Sequence, residues 1–552
     1  MDRRTVWALV LVAAVILLTP RLFPPAPPAP LQPVDSSVLS DSLPRARADT
    51  SPRAVTAAPS PTTQRDSALV RVPAETLFVA DSNAAFSFLN TGAVLQQAEL
   101  RQFRALGGRE GSVKLEGRGV PLLRFQGIVG RDTIAFDAAT FRVVRRETTG
   151  AIQHISFEGA VAADTLAIDY VVEPESLLVR VDGHVRGPLA SNGYILMHYA
   201  PTLASYEADS IEDQRRLGFA YEVTRRGSKG TAFGKLDPGE RVVVPGPLTW
   251  VALKGKYFIV GVLARDSVSP MVEFTMTGLA RTSRTATHAQ GTAVIQPRQG
   301  AFALDVYAGP QEAKRLQALG RDFENSNPYG GFMQPIVQPF AGLVMNALLW
   351  LRHTFNIGYG WVLVIFGVAV RLILWPLNTI AMRTSMKMQR IQPELQALQT
   401  RYKADPQKLQ SEMMRVYKEH NMSPFSMFAG CLPMFLPLPV LFALFFVFQS
   451  TIEFRGVPFM WLADISLKDP FYILPLLMGV SMFVLSWIGS RNTPPNPQTK
   501  MMLYLFPVMM TFLLANLASG LNLYYTVQNL AALPQQWLIA NERAKAAAKA
   551  KG

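Results

Sequence analysis

Apolar and polar positions divide the chain into two textures. From about residue 70 to 320 the apolar residues come in short runs of period two, broken by Gly, Asn and Asp, as in Thr76-Leu-Phe-Val-Ala, Ala85-Phe-Ser-Phe-Leu, Leu177-Leu-Val-Arg-Val and Tyr257-Phe-Ile-Val-Gly-Val-Leu. Alternation at this spacing predicts a large antiparallel β-sandwich over residues 67–325, closed by a helical stretch near Gln311 to Leu319. Beyond it, residues 326–356 form an amphipathic segment ending near Trp350, Arg352 and His353, which predicts a helix lying along a membrane surface. Five long apolar runs follow, at 357–380, 428–450, 471–490, 501–517 and 520–540. Each approaches the length of about 20 residues that crosses about 30 Å of hydrocarbon.

The N-terminus adds a sixth apolar run. Met1-Asp-Arg-Arg precedes an uncharged stretch from Val6 to Leu18, and no small-x-small site follows it. With Arg21 snorkelling, residues 1–23 read as an uncleaved signal anchor, a cleaved signal peptide being the alternative. Residues 24–66 hold ten prolines among Ala, Ser and Thr. That composition buries no core and predicts an extended tether. The expected architecture is thus an α-helical polytopic membrane protein of six spans, with a core of five helices at 357–540, plus an all-β domain outside the bilayer.

Charge sets the expected orientation. The segments 1–5, 383–427, 491–500 and 541–552 together carry +10 of the chain's net +14. Residues 451–470, on the other side of the spans, hold two basic and three acidic residues. The positive-inside rule therefore predicts cytoplasmic termini, including a basic tail at 541–552, and a β domain on the far side. The same clustering argues against nucleic-acid binding, because the Lys and Arg fall between apolar runs and accompany no aromatic-basic motif. The single cysteine, Cys431, lies within an apolar run, so no intramolecular disulfide can staple the β domain.

One charge breaks the pattern. Arg371, in Val370-Arg-Leu-Ile-Leu-Trp-Pro-Leu377, is the only charged residue well inside the five C-terminal runs. An Arg at a helix centre costs about 2.5–3.5 kcal/mol on insertion scales. Nine residues separate it from Ile380, about 13 Å at helical rise. One reading is an Arg that snorkels to the headgroups. The other is a hydrated cavity open to the cytoplasm, since the runs contain no Asp or Glu to pair with it. Polar residues recur in the same runs, namely Gln449, Ser481, Thr511, Asn516, Asn522, Thr526, Gln528 and Asn529, with Tyr524 and Tyr525 beside the last group. Singly these serve as ordinary interhelical hydrogen-bonding residues. The group in the last run predicts one wetted face. Pro433, Pro437, Pro439, Pro475, Pro507 and Pro534 are expected to bend or interrupt the spans.

Between the first two of these runs, Met388, Ile391, Leu395, Leu398 and Tyr402 repeat at 3,4,3,4 spacing. After Asp405-Pro406, a helix start, Leu409, Met413, Val416 and Tyr417 form a second stripe. The two stripes predict an antiparallel helical hairpin over 383–422. Lys387, Arg390, Arg401, Lys403 and Lys408 decorate it, so it reads either as a docking arm or as a purely structural hairpin.

The order of features, with Val370-Arg and Trp375-Pro-Leu, Tyr472-Ile-Leu-Pro-Leu-Leu-Met-Gly-Val480, Ser519-Gly-Leu-Asn-Leu-Tyr-Tyr525 and Thr249-Trp-Val-Ala-Leu, resembles the YidC family of Gram-negative membrane protein insertases. The resemblance implies a β-supersandwich outer domain in the periplasm of an inner-membrane protein. It also implies a hydrophilic groove centred on Arg371, walled by Gln449, Asn516, Tyr524, Tyr525, Thr526 and Gln528, and a cytoplasmic hairpin needed for activity. Implied partners are nascent membrane-protein clients, the Sec translocon, a ribosome or signal recognition particle receptor at the hairpin, and the lipid bilayer. No cofactor, metal or catalytic residue is implied. Two departures concern the groove: Gly367 and Pro437 stand where family members often carry polar residues.

Other functions fit the residues less well. An intramembrane serine protease at Ser519 would need a positioned base, and the five C-terminal runs contain no His. A secondary transporter or channel, the leading alternative, would usually place carboxylates within the membrane and show an inverted repeat; neither is present. A carbohydrate enzyme in the β domain is disfavoured because His154, His184, His198 and His288 show no catalytic or metal spacing. With no nucleotide-binding loop, insertion would draw on hydrophobic partitioning of the client.

Overall fold

The computed structural model describes residues 73–150, 152–173, 175–224, 226–265, 270–281, 288–326, 334–376, 378–379, 391, 394–395, 397–403, 405–420, 438–491 and 497–549. The expected anchor and tether, Cys431, Pro433, Pro437, Lys387 and Arg390 lie outside these residues.

Period-two burial builds the β domain. Strand Asp164–Glu173 alternates strictly between buried and half-buried positions, and Ala289–Ile295 does the same. The strands form antiparallel sheets of four, nine and six. At the centre of the nine-stranded sheet, Phe258–Ala264 pairs with Ala301–Pro310, which in turn pairs with Leu178–Arg186. The six-stranded sheet packs against it through aromatic contacts. Tyr199 and Phe274 of the smaller sheet stand 5.7 and 5.2 Å from Phe219 of the larger. The buried Tyr199 hydroxyl donates to the Val251 carbonyl at 2.7 Å. Strand Phe258–Ala264 departs from alternation, being buried at all seven positions. Its second face is covered by the turn Phe323–Ser326, whose Phe323 ring lies so close to Gly261 that a Cβ there would sit 2.3 Å from it.

The helical part consists of α1 (Gln334–Phe355), α2 (Tyr359–Ile373), α3 (Pro406–Glu419), α4 (Leu438–Ser450), α5 (Ile473–Ser490), α6 (Pro497–Leu514) and α7 (Ser519–Lys549). Ala341, Val344, Met345, Leu348 and Leu351 give α1 a buried stripe at helical spacing, and these residues share a core with α2, α4 and the start of α7. The opposite face of α1 exposes Leu343 and Trp350. From Pro339 onward, α1 meets α2 at a bend of 117°. Asn356 turns that corner with a φ of 48°, and Arg352 donates to the Ile357 carbonyl while stacking 5.5 Å over Tyr359. Among the described residues, α5 alone is by itself long and apolar enough to cross a membrane. Large apolar side chains nonetheless face outward on the neighbouring helices, including Leu372 and Ile373 of α2, Val508, Phe512 and Leu513 of α6, and Trp537 of α7. Exposed apolar surface on this scale belongs in lipid or against protein rather than in water.

Several sequence expectations change in the structure. Pro475 begins α5 instead of interrupting a span, since the first turn of a helix needs no N–H donor there. Pro507 and Pro534 lie within α6 and α7, which continue past them. The helix α7 also runs on to Lys549, through part of the basic tail beyond the last apolar run, because Ala, Glu, Lys and Arg favour the helix there.

The loop between α4 and α5 acts as a hub. Ile452 is buried in the core of the β domain. Arg455 forms a forked ion pair with Glu207 at 2.8 and 2.9 Å and donates to the Arg104 carbonyl at 3.0 Å, while stacking 5.4 Å over Phe258. The Tyr257 hydroxyl donates to Ser466 Oγ at 2.9 Å. Toward the helices, Asp469 accepts from the Leu474 N–H at 2.7 Å at the head of α5. Ser519 and Gly520, at the head of α7, donate their N–H groups to the Leu467 and Ile465 carbonyls at 2.7 and 2.9 Å. One loop thus fastens the β domain and two helix starts together.

Candidate functional site

Arg371 lies in the last turn of α2, one residue after Val370 turns into the helical core. Pro376 lies two residues beyond the C-cap Leu374 and supplies no N–H to the preceding turn. The buried Gln535 of α7 meets this segment. Arg371 Nη2 donates to Gln535 Oε1 at 2.9 Å. Gln535 Nε2 donates to the Trp375 carbonyl at 2.9 Å and to Thr379 Oγ1 at 2.7 Å, and Thr379 Oγ1 donates to the same carbonyl at 2.9 Å. No described carboxylate pairs with Arg371, and its Nε is buried without a hydrogen-bond partner. Asn378, adjacent in sequence, is also buried.

Farther along α7, Tyr524 packs 5.9 Å from Phe366 of α2 and 5.9 Å from Tyr525. The Tyr524 hydroxyl is a second buried polar atom with no described partner. Gly367 permits this approach: a Cβ there would stand 3.1 Å from Val527 and 3.5 Å from Tyr524. A larger residue four before the arginine would point into the contact between α2 and α7. Thr526 is buried, its hydroxyl donating to the Asn522 carbonyl at 2.8 Å. Asn529 donates to Ser481 of α5 at 3.1 Å. Gln528 is likewise buried and Tyr525 half-buried. Thr526 and Asn529 thus satisfy their polar atoms within the helix packing, on backbone and on a neighbouring helix.

Asn516 is exposed in the turn between α6 and α7. The 16 residues from Ser519 to Gln535 span about 24 Å at helical rise, so Asn516 precedes the start of α7 whereas Arg371 meets its middle. Gln449 lies in α4. Sequence reasoning passed over Gln535 and Thr379. The signal for Gln535 was the adjacent amide pair Gln535-Gln536 within an otherwise apolar run, and Thr379 carried none.

The hairpin residues form a separate cluster. Ile391, Leu395, Val416 and Tyr417 are buried together, with Leu398 and Met413 against them. Asp405 caps α3 by accepting from the Lys408 N–H at 3.0 Å, and His420 meets Glu394 at 3.1 Å, so the chain doubles back on itself. Arg401 and Lys408 both stand over the Tyr402 ring, at 5.6 and 5.5 Å. Lys403 lies in the turn between the helices.

A β-sandwich seated on apolar helices, with a guanidinium held among them by a neutral amide, defines a helical membrane protein with a large water-soluble domain. Comparison with known proteins narrows this class. A sequence model of the YidC periplasmic domain matches residues 79–343, and one described as 60Kd inner membrane protein matches residues 350–547. A membrane protein insertase YidC from Anaeromyxobacter sp. (strain Fw109-5) is 29% identical over 412 residues, covering 74% of this chain and 71% of its own. Another, from Chlorobium luteolum, is 31% identical over 377 residues, covering 64% and 62%. Among solved structures, an active YidC insertase is 18% identical, with 84% of this chain and 93% of that chain covered and a TM-score of 0.33. A galactose mutarotase related enzyme from Lactobacillus acidophilus is 9% identical, with 42% and 97% covered and a TM-score of 0.27. The chain belongs to the YidC family of membrane protein insertases, and it is an inner-membrane protein.

Proposed function

We propose that this chain receives hydrophilic segments of nascent membrane proteins at a polar groove around Arg371 and releases the adjoining apolar segments into the bilayer. The observation that carries this reading is the pairing of Arg371 with a neutral amide. Its positive charge is placed among apolar helices and left for a client to engage. Tyr524 and Tyr525 stand farther along the same wall, Thr526 and Gln528 back it, and Gln449 of α4 and Asn516 of the turn before α7 complete the expected polar set. Both termini and the hairpin face the cytoplasm, and the β domain faces the periplasm. The basic residues of the hairpin segment, Lys387, Arg390, Arg401, Lys403 and Lys408, dock a ribosome or signal recognition particle receptor. Handover occurs alone or beside the Sec translocon, and the same surface chaperones folding segments.

Protease protection of client tails in vesicles tests the groove. Arg371→Lys keeps the charge without the fork of donors, and activity should largely survive. Arg371→Ala should leave the chain at least as well inserted in the membrane. Protection of acidic tails should then fall about tenfold, the factor that corresponds to about 1.4 kcal/mol, with neutral tails little affected. Equal protection by wild type and Arg371→Ala for both kinds of tail would reject the groove.

A further inference from the structure

We infer that Gln535 is a positioning residue for Arg371, fixing the guanidinium in place without neutralising it. This rests on the groove reading above and goes beyond it, because it assigns a role to a residue of the last helix that lies outside the expected polar wall.

The argument begins with the amide itself. A glutamine side chain has one face that accepts and one that donates. Gln535 Nε2 faces two acceptors, the Trp375 carbonyl and the Thr379 hydroxyl oxygen, at 2.9 and 2.7 Å. Thr379 has spent its only hydrogen on the same Trp375 carbonyl, at 2.9 Å, and so can only accept from Gln535. Turning the amide over would set its oxygen against two acceptors. Its orientation is thereby determined, and Oε1 must face Arg371, where it accepts from Nη2 at 2.9 Å. Gln535 is 1% exposed, so protein encloses its amide. The segment after α2 and the helix α7 are joined by a network in which every hydrogen of one amide is used.

The chemistry of the partner follows from the same geometry. An amide oxygen orients a guanidinium as firmly as a short hydrogen bond allows, yet carries no charge. A glutamate at the same place would form a charge-assisted pair with Arg371 and cancel the field that an acidic client segment meets. It would also present a second oxygen to the Trp375 carbonyl. The choice of Gln over its isostere Glu thus maintains a cation that is held but not compensated.

The test uses the full-length chain in vesicles and compares acidic with neutral client tails. Gln535→Glu is the informative variant because it preserves size and shape. Protection of acidic tails should fall about tenfold, the scale of one hydrogen bond to a charged group, while neutral tails remain near wild type. Thr379→Val removes one of the two acceptors that orient the amide and should give a smaller loss of the same kind. Membrane abundance of each variant is measured alongside. Wild-type protection of both tails by Gln535→Glu would overturn the inference, and so would equal loss for both, which would make Gln535 a fastener of helices and nothing more. If Arg371→Ala loses acidic tails while Gln535→Glu does not, the groove stands and the positioning role falls. If Arg371→Ala itself shows no dependence on tail charge, the groove reading falls, and the role of Gln535 with it.

Discussion

Arg371 and Arg455 are both guanidinium groups set into packed surroundings, and their partners make them opposites. Arg455 faces the Glu207 carboxylate, each side chain being 6% exposed, so its charge is spent on holding two parts of the molecule together. Removing one member of such a pair strands the other. Arg455→Ala should therefore weaken the seating of the β domain by about 3–5 kcal/mol above neutral pH, whereas replacing both residues with apolar ones of similar volume should cost far less. Amide exchange in residues 451–470 measures the difference. Proton linkage adds a sign. Burial, with Asp213 nearby, lifts the Glu207 carboxyl from 4.5 to about 7 against the pull of Arg455. Its contribution to seating is thus present below 4.5 and lost as pH rises through about 7, and Glu207→Gln should abolish that dependence. Arg371 was legible in the sequence because a charge inside an apolar run violates the cheapest rule of membrane folding. Gln535 was not, since a neutral amide near the end of such a run breaks no rule and acquires meaning only from what it touches. Ser519 shows the converse: an eye-catching serine whose hydroxyl is buried, donating to the Ile465 carbonyl at 3.3 Å at the head of α7.

Among the elements, strict alternation marked the strands clearly where one face meets the core and the other is half-covered, as in Asp164–Glu173. The unbroken apolar run Phe258–Ala264 fits its burial on both faces, but what covers its second face was not legible, because that turn arrives about 60 residues later in the chain. The prolines misled for a related reason. A proline disrupts a helix interior but suits a first turn, and only the helix boundary distinguishes the two for Pro475. In the hairpin, the apolar stripes carry the pairing, with Leu395 and Val416 buried at its centre. Leu395→Asp with Val416→Asp should unpair the two helices without touching the apolar bundle. Client insertion should fall sharply at unchanged membrane abundance, as measured by pulse labelling and membrane fractionation. Full insertion by that variant would make the hairpin dispensable.

At the scale of the whole molecule, orientation follows from where the basic residues fall. Reporters fused after Gly552 and near Lys418 should read cytoplasmic, and one near Gly309 should read periplasmic. A periplasmic signal at Lys418 would overturn the six-span arrangement. The overall division into an all-β domain and a helical membrane part was visible in the change of hydrophobic period alone. How the two parts are joined was not, because the junction depends on Ile452, Arg455 and Ser466 in a loop of unremarkable composition meeting Glu207 and Tyr257 from distant strands. That junction has a practical consequence for imaging. Helical bundles embedded in a detergent or lipid belt offer electron microscopy few landmarks for aligning particles. A β-sandwich tied to the bundle through a buried ion pair and through Ile452 seated in its core serves as a built-in fiducial. Arg455→Ala particles should lose that landmark first, as blurred density for the sandwich above a bundle whose own features fade with it.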